Sequence, residues 1–160
     1  MTDQSILILG VGNYLLSDEG IGVHIAQKLM RMELPPEVEV IDGGTLGFEL
    51  IPFFRNKKKI IIIDCIDADE PPGTIIWTTP NEIHPRWSSS FSVHQNGLSE
   101  LLQQCSLLEP CCEVWLLGIV PASTDPHIGL SADLGSKVDL MIHHIMEKLA
   151  AWHPWGKIYS

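Results

Sequence analysis

Short apolar runs alternate along this chain with longer segments in which apolar residues recur every three or four positions. The apolar and β-branched runs predict five strands, over residues 6–9, 38–41, 60–63, 74–79 and 113–118. Apolar residues at helical spacing predict helices over residues 21–32, 46–54, 98–108 and 132–152. This alternation predicts an α/β fold, a three-layer α/β/α sandwich around a five-stranded, mostly parallel twisted sheet with one antiparallel strand.

The order of these segments also predicts the sheet topology. The continuous β-branched run 60–63 is typical of a central strand, and right-handed crossovers place the first strand between the second and the third. The link from 64 to 73 is too short for a helical crossover, so strand 74–79 is predicted to run antiparallel to its predecessor, near an edge. The basic run 55–59 is interpreted as a solvated patch. No linker interrupts the pattern, which indicates one domain over 1–160.

The first strand leads into a glycine-rich turn and then the first helix. Gly10 and Gly12 supply backbone freedom after the strand, and Ser17 and Asp18 are candidate N-caps. Two interpretations of Glu19 remain open at this point. It is held at the mouth of the turn as a metal ligand or acid–base group, or it and Asp18 only complement the helix dipole.

A dinucleotide-binding fingerprint is the familiar alternative for such a turn. The spacing does not fit, because the third glycine of G-x-G-x-x-G would fall at Leu15. The acidic pair Asp18 and Glu19 is also poorly suited to phosphate, which prefers bare backbone N–H groups at a helix start.

Ligands of open α/β sheets bind outside the carboxyl ends of the strands. Glu19 follows the first strand, Asp64 ends the third, and His94 begins a helix after a long loop. Two carboxylates and an imidazole in one crevice could hold a single divalent cation such as nickel, zinc, iron or manganese. The residues alone leave this open, because acidic residues at strand ends are common in α/β proteins.

Composition narrows the class of protein. Apolar residues make up 45% of the 160 residues and charged residues 19%, as in ordinary globular domains. The net charge of -10 argues against a nucleic-acid partner or an anionic membrane surface. The N-terminus has no signal-peptide pattern, and no apolar run is long enough to span a bilayer. Four cysteines without a C-x-x-C spacing favour reduced thiols and a cytoplasmic protein.

The motifs, taken together, resemble those of the hydrogenase maturation endopeptidases. The segment from Gly10 to Gly22, with its G-V-G-N and D-E-G-I-G parts, comes first, and the Asp42-Gly-Gly-Thr45 motif follows it. The segments I-I-D at 62–64, H-Q-x-G-L at 94–98 and G-I-V-P at 118–121 come after them in the family's order. The resemblance covers nearly the whole chain.

The resemblance implies a cytoplasmic endopeptidase that removes a C-terminal extension from the large-subunit precursor of a nickel–iron hydrogenase after nickel insertion. It places the metal contacts and the catalytic role at Glu19, Asp64 and His94; many members have Asp where this chain has Glu19. The implied metal is nickel supplied by the substrate, and zinc or cadmium is expected to occupy the site in vitro.

Further residues are assigned to substrate binding. They are the glycine-rich segment Asp42, Gly43, Gly44 and Thr45, and also His127, which follows a proline in a loop near a strand end. The expected partner is the large-subunit precursor, with no nucleic acid and no membrane.

Two other functions remain as alternatives. The first is a non-catalytic metal-binding chaperone or sensor on the same fold, which would bind nickel without shortening the precursor. The second is a nucleotide-dependent enzyme, which NAD or ATP would protect against thermal unfolding. Common protease signatures such as H-E-x-x-H and G-x-S-x-G are absent from the sequence.

Overall fold

A computed structural model describes residues 4–46, 48–80, 82 and 112–152 of the chain. Its five strands are β1 (Ile6–Val11), β2 (Val38–Gly44), β3 (Lys59–Cys65), β4 (Ile75–Thr78) and β5 (Glu113–Ile119). Its helices are α1 (Ile21–Met30), α2 (Ile51–Phe54), α3 (Ala132–Gly135) and α4 (Val138–Trp152), with 3-10 turns at Ser17–Gly20 and Phe48–Leu50. The predicted helix over 98–108 lies outside the described residues.

The strands form one sheet in the order β2-β1-β3-β5-β4. β1 pairs in parallel with both β2 and β3, which confirms the predicted central position of the first strand. β4 is antiparallel and at the edge, as predicted, but its partner is β5, because β5 lies between β3 and β4. The fold class is therefore the predicted α/β sheet with one antiparallel strand.

Both faces of the sheet are buried. Ile8, Ile61 and Ile63 pack on one face against α1 and α4, while Leu7, Leu9 and Ile62 pack on the other against the segment that contains Leu50 and Phe54. Continuous apolar strands such as β1 and β3 are the expected consequence of cover on both sides. The three-layer arrangement fixes the strand ends, from which the site residues project.

Several predicted boundaries differ from the observed ones. The predicted helix 46–54 is a 3-10 turn followed by the single-turn α2, and the predicted helix 132–152 is split into α3 and α4. The split falls at Ser136 and Lys137, directly after Gly135, and a glycine favours the end of a helix over its interior. β2 continues through Gly44, where a turn was expected, and the pairing shifts register between Gly10 and Val11.

The basic run 55–59 was predicted to be a solvated patch, but one of its lysines is buried. Lys57 is buried, and its Nζ lies 2.7 Å from a carboxylate oxygen of Glu39 and 2.6 Å from the carbonyl oxygen of Gln4. An ammonium group can be buried here because both partners are acceptors that replace its water shell.

Helix α1 approaches the sheet unusually closely. A Cβ on Gly22 would overlap the carbonyl oxygens of Ile63 and Val11, and one on Gly10 would overlap the carbonyl oxygen of Gly22. Only glycine permits this backbone contact. It brings the start of α1, and the acidic turn before it, directly onto the carboxyl ends of β1 and β3.

Within the described part of the chain, none of the helices has both the length and the apolar character needed to cross a bilayer.

Candidate active site

The turn after β1 is held in a fixed conformation by its own backbone. Gly12 has φ 138°, and a Cβ there would overlap the carbonyl oxygen of Glu19. Asn13 accepts a hydrogen bond from the backbone N–H of Leu15 through Oδ1 (2.9 Å) and one from Leu16 through its carbonyl oxygen (3.1 Å). The chain therefore reverses direction after β1, and Glu19 lies in the 3-10 turn that precedes α1.

Glu19 is partly buried, whereas its neighbour Asp18 is fully buried. Burial raises the pKa of Glu19 above its usual value, because a charged carboxylate loses hydration there. A carboxylate in such a place is suited to binding a cation, since a cation compensates for the lost water.

The predicted capping role of Ser17 and Asp18 is wrong. The structure shows no side-chain cap on the 3-10 turn or on α1, and Ser17 adopts φ 50° while its hydroxyl donates to the carbonyl oxygen of Asp125 at 2.6 Å. Asp18 bonds instead to the distant segment 122–131. Four donors from that segment satisfy the Asp18 carboxylate, so the local capping signal was misleading.

Asp64, predicted to end the third strand, is the penultimate residue of β3, which continues to Cys65, and it is fully buried. Its Oδ1 accepts a hydrogen bond from the backbone N–H of Cys65 at 2.8 Å. Strand alternation places it on the same face as Ile60 and Ile62. A buried carboxylate at this depth has a fixed orientation, in contrast to the more exposed Glu19.

Burial and nearby carboxylates, Asp64 and Glu19 among them, raise the pKa of the Cys65 thiol. Burial raises its pKa most, and the negative charges of Asp64 and then Glu19 raise it further. The 3-10 turn that contains Glu19 contacts β3, so Glu19 and Asp64 lie at the same, carboxyl edge of the sheet. A raised pKa disfavours the thiolate, so Cys65 is poorly suited to act as a nucleophile.

A cleft of about 290 Å³ lies on the other side of the glycine turn, between it and the end of β2. Its lining consists of Gly12, Asn13, Tyr14, Val23, Gln27, Asp42, Gly44 and Thr45. Asp42 is oriented here by hydrogen bonds from the backbone N–H of Gly44 and from Nε2 of Gln27, both at 3.1 Å. Three residues assigned to substrate binding, Asp42, Gly44 and Thr45, thus share one cleft.

The other two residues assigned to substrate binding lie elsewhere. Gly43 is buried, and a Cβ on it would press on the side chain of Leu9, so its place is beneath the cleft. His127 is exposed on the loop after β5, where its backbone pairs with Leu16. It is therefore near the acidic turn and is not part of the cleft lining.

His94 lies outside the described residues, so the proposed set of three ligands is represented here by its two carboxylates. Among the described residues, no group of three or more His, Cys, Asp or Glu side chains is arranged to hold a metal ion. The donor set remains chemically consistent: two carboxylate oxygens and an imidazole nitrogen suit a borderline divalent cation such as nickel.

Two features of the site were missed from the sequence. One is the tertiary role of Asp18, and the other is the contact of Tyr14 with His24, whose rings stack with centroids 4.7 Å apart. Burial lowers the pKa of His24, and the nearby negative charge of Asp18 opposes that change. No sequence signal pointed to either feature, because both depend on residues brought together only by the fold.

Known proteins match this chain both in sequence and in fold. The HycI family profile, described as hydrogenase maturation protease, matches residues 23–148. The "Hydrogenase 2 maturation protease" of Escherichia coli K12 is 37% identical over 147 residues, which cover 90% of each chain. The chain belongs to the hydrogenase maturation protease family. A "Putative hydrogenase maturation protease" of Methanocaldococcus jannaschii is 36% identical over 93% of this chain and 99% of its own.

Solved structures of hydrogenase maturation proteases share the fold. The maturating endopeptidase HybD of Escherichia coli superimposes with a TM-score of 0.77 at 34% identity, over 94% of this chain and 93% of that one. HybD of Thermococcus kodakarensis gives a TM-score of 0.74 at 28% identity, over 94% and 99% of the two chains. This chain is therefore a protease by family, on a fold that its relatives share.

Proposed function

We propose that this maturation protease is the endopeptidase that removes the C-terminal extension of a nickel–iron hydrogenase large-subunit precursor after nickel insertion. The main support for the proposal is that, in a chain of this family, the turn that carries Glu19 contacts β3, the strand on which Asp64 lies near the carboxyl end. That edge is where open α/β sheets bind their ligands.

In this proposal the nickel belongs to the substrate. The precursor holds the ion through thiolates, and Glu19, Asp64 and His94 complete its coordination with two oxygens and a nitrogen. Asp64 is buried and acts as the fixed ligand, while the more exposed Glu19 approaches the ion from the turn. Empty precursor lacks this contact, so the protease discriminates by a difference in affinity. Zinc or cadmium would occupy the same ligands in vitro.

The cleft beside the glycine turn is proposed to hold the extended C-terminal segment of the precursor. Its size admits a few residues, and its lining offers the carboxylate of Asp42 and the hydroxyl of Thr45. Gly43 supports the cleft floor from beneath. His127 is assigned to the neighbouring surface next to the acidic turn. We place the reaction in the cytoplasm, as the four cysteines outside any C-x-x-C motif suggest.

Incubation with nickel-loaded and nickel-free precursor tests the proposal. The wild-type protein should shorten only the loaded precursor, at its C-terminus, as seen by mass spectrometry. Glu19→Gln and His94→Ala should each reduce the cleavage rate at least about 100-fold, because each removes a group that contacts the reacting site. Circular dichroism should show both variants folded, and for Glu19→Gln the reason is that the new side chain has nearly the same size and shape as the one it replaces.

Glu147→Gln is the matched control, because Glu147 is exposed on α4, where its carboxylate lies 3.0 Å from Nε2 of His143 on the same helix. It should cleave like the wild type. A precursor that stays full length while the wild-type protein binds its nickel would establish the alternative, a metal-binding chaperone or sensor module. Normal cleavage by folded Glu19→Gln would remove Glu19 from the mechanism.

A further inference from the structure

The loop between β5 and α3, residues 121–131, is fixed to the acidic turn through Asp18. The fully buried carboxylate of Asp18 accepts hydrogen bonds from the backbone N–H of Ala122 (2.8 Å), Ser123 (3.1 Å) and Ser131 (2.7 Å). The hydroxyl of Ser131 donates a fourth, at 2.7 Å. Hydrogen bonds to an ionised acceptor are about twice as strong as neutral ones, so both ends of this loop are held firmly.

The middle of the loop is fixed as well. The backbone N–H of Ser17 donates to the carbonyl oxygen of His127 at 2.8 Å, and the N–H of His127 donates to that of Leu15 at 3.0 Å. The hydroxyl of Ser17 donates to the carbonyl oxygen of Asp125. Residues 14–17 and 125–128 thus form one continuous ledge, which we call the two-segment ledge.

This ledge presents two large apolar side chains to solvent. Ile128 is 62% exposed and Leu15 is 59% exposed, the highest values for large apolar side chains among the described residues. Single exposed apolar side chains are common on protein surfaces, but here two occur on adjoining segments that the fold holds rigidly. The backbone of Glu19 is directly attached, because its N–H donates to the carbonyl oxygen of Leu16 at 3.1 Å.

We propose that the two-segment ledge is the docking surface for the folded body of the large-subunit precursor, with Leu15 and Ile128 as its apolar contacts. The proposal rests on the proposed function and adds the partner surface to it. Its basis is continuity: a protein that brings nickel to Glu19 must also cover the residues beside Glu19 in the same turn. The cleft at Asp42 receives the extension from the other side of the turn, and the ledge therefore binds a different part of the same substrate.

Steady-state cleavage of nickel-loaded precursor by Leu15→Ser and Ile128→Ser tests this surface. Each change should raise KM about tenfold and leave kcat unchanged, because lost burial of one aliphatic side chain weakens docking without touching the reacting groups. Met30→Ser and Leu140→Ser are matched controls: both side chains are comparably exposed, at 57% and 44%, but lie on α1 and α4 away from the acidic turn. Their KM should equal that of the wild type.

Binding of the nickel-loaded large subunit without its extension separates this proposal from the proposed function. That subunit cannot be cleaved, and it should bind the wild-type protein about tenfold more tightly than either ledge variant. Equal Kd values, or no binding by the wild type, would overturn the docking surface even if cleavage occurs. Wild-type binding without any cleavage would instead overturn the proposed function alone. A wild-type dimer that Leu15→Ser dissociates would assign the ledge to a second copy of this chain.

Discussion

The two ends of the sheet treat charge in opposite ways. At the amino end, lysines pair with glutamates: Nζ of Lys57 lies 2.7 Å from Glu39, and Nζ of Lys59 lies 2.8 Å from Glu113, its register partner across β3 and β5. At the carboxyl end, the carboxylates of Asp18 and Asp42 accept from backbone N–H groups, a hydroxyl and an amide.

This difference separates stability from function. A carboxylate paired with lysine has its charge neutralised, whereas one held by neutral donors keeps its negative charge. The carboxyl end thus concentrates the negative charge of Asp18, Glu19, Asp64 and Asp67 around one buried thiol, at the edge where ligands bind. The amino end thus stabilises the sheet, and the negative charge at the carboxyl end is what the proposed cation binding requires.

The largest effect is expected where α1 meets the carboxyl ends of the strands. Gly22→Ala should lower the free energy of unfolding by about 3 kcal/mol, because its Cβ would overlap two carbonyl oxygens that belong to rigid strands. Urea denaturation measures the change. Gly135→Ala is the control, since a Cβ there meets nothing within 4 Å and should change stability by less than about 1 kcal/mol. Equal effects at both glycines would contradict the close packing described for α1.

The next effect concerns the carboxylate that fixes the ledge. Asp18→Asn should cost about 2–3 kcal/mol, because the amide keeps one acceptor oxygen for four donors and adds a donor that has no partner. It should also slow cleavage, since Glu19 is the next residue of the same turn.

Ser131→Ala provides the graded comparison at the same place. It removes the hydroxyl bond to Asp18 and the cap on Leu134, and should cost only about 1 kcal/mol. If the serine variant were as unstable as Asp18→Asn, the charge of Asp18 would not be the source of its effect.

A substitution at the amino end of the sheet is expected to have a smaller effect, and to change stability but not cleavage. Lys57→Met should cost about 1–2 kcal/mol, because it leaves the partly buried carboxylate of Glu39 and the carbonyl of Gln4 without this partner. The folded variant should cleave precursor at the wild-type rate, measured below its unfolding temperature. Impaired cleavage by the folded protein would mean that the two ends of the sheet are not functionally separate.

The sequence predicted those parts of the fold that depend on periodicity and chain length. The strands 60–63 and 113–118 and the central position of β1 follow from apolar runs and crossover handedness, and all are confirmed. The short link before β4 predicted its direction and its edge position. It did not predict that β5 would lie between β3 and β4. The predicted helix boundaries were wrong where local signals compete, as around Gly135, which lies in an otherwise helical pattern.

The candidate site was predictable only as far as strand ends could be located. Strand ends predicted Glu19 and Asp64 at one edge of the sheet, and their joint role as metal ligands stays a prediction. Asp42 and Thr45, assigned to substrate binding, line the cleft beside the first turn. The roles of Asp18 and Lys57 were missed, because each is decided by partners more than fifteen positions away in the chain. His94 stays a prediction, outside the residues that the structure describes.

The ammonium of Lys148 lies 3.4 Å from the ring centroid of Trp115 and within 6 Å of those of Trp77 and Trp152. Three of the five tryptophans therefore share one cationic neighbour, at a place where α4 covers β4 and β5. Their indole emission gives an optical signal for the docking of the last helix. Tryptophan fluorescence can then follow the separation of α4 from β4 and β5, independently of peptide-bond cleavage at the carboxyl end of the sheet.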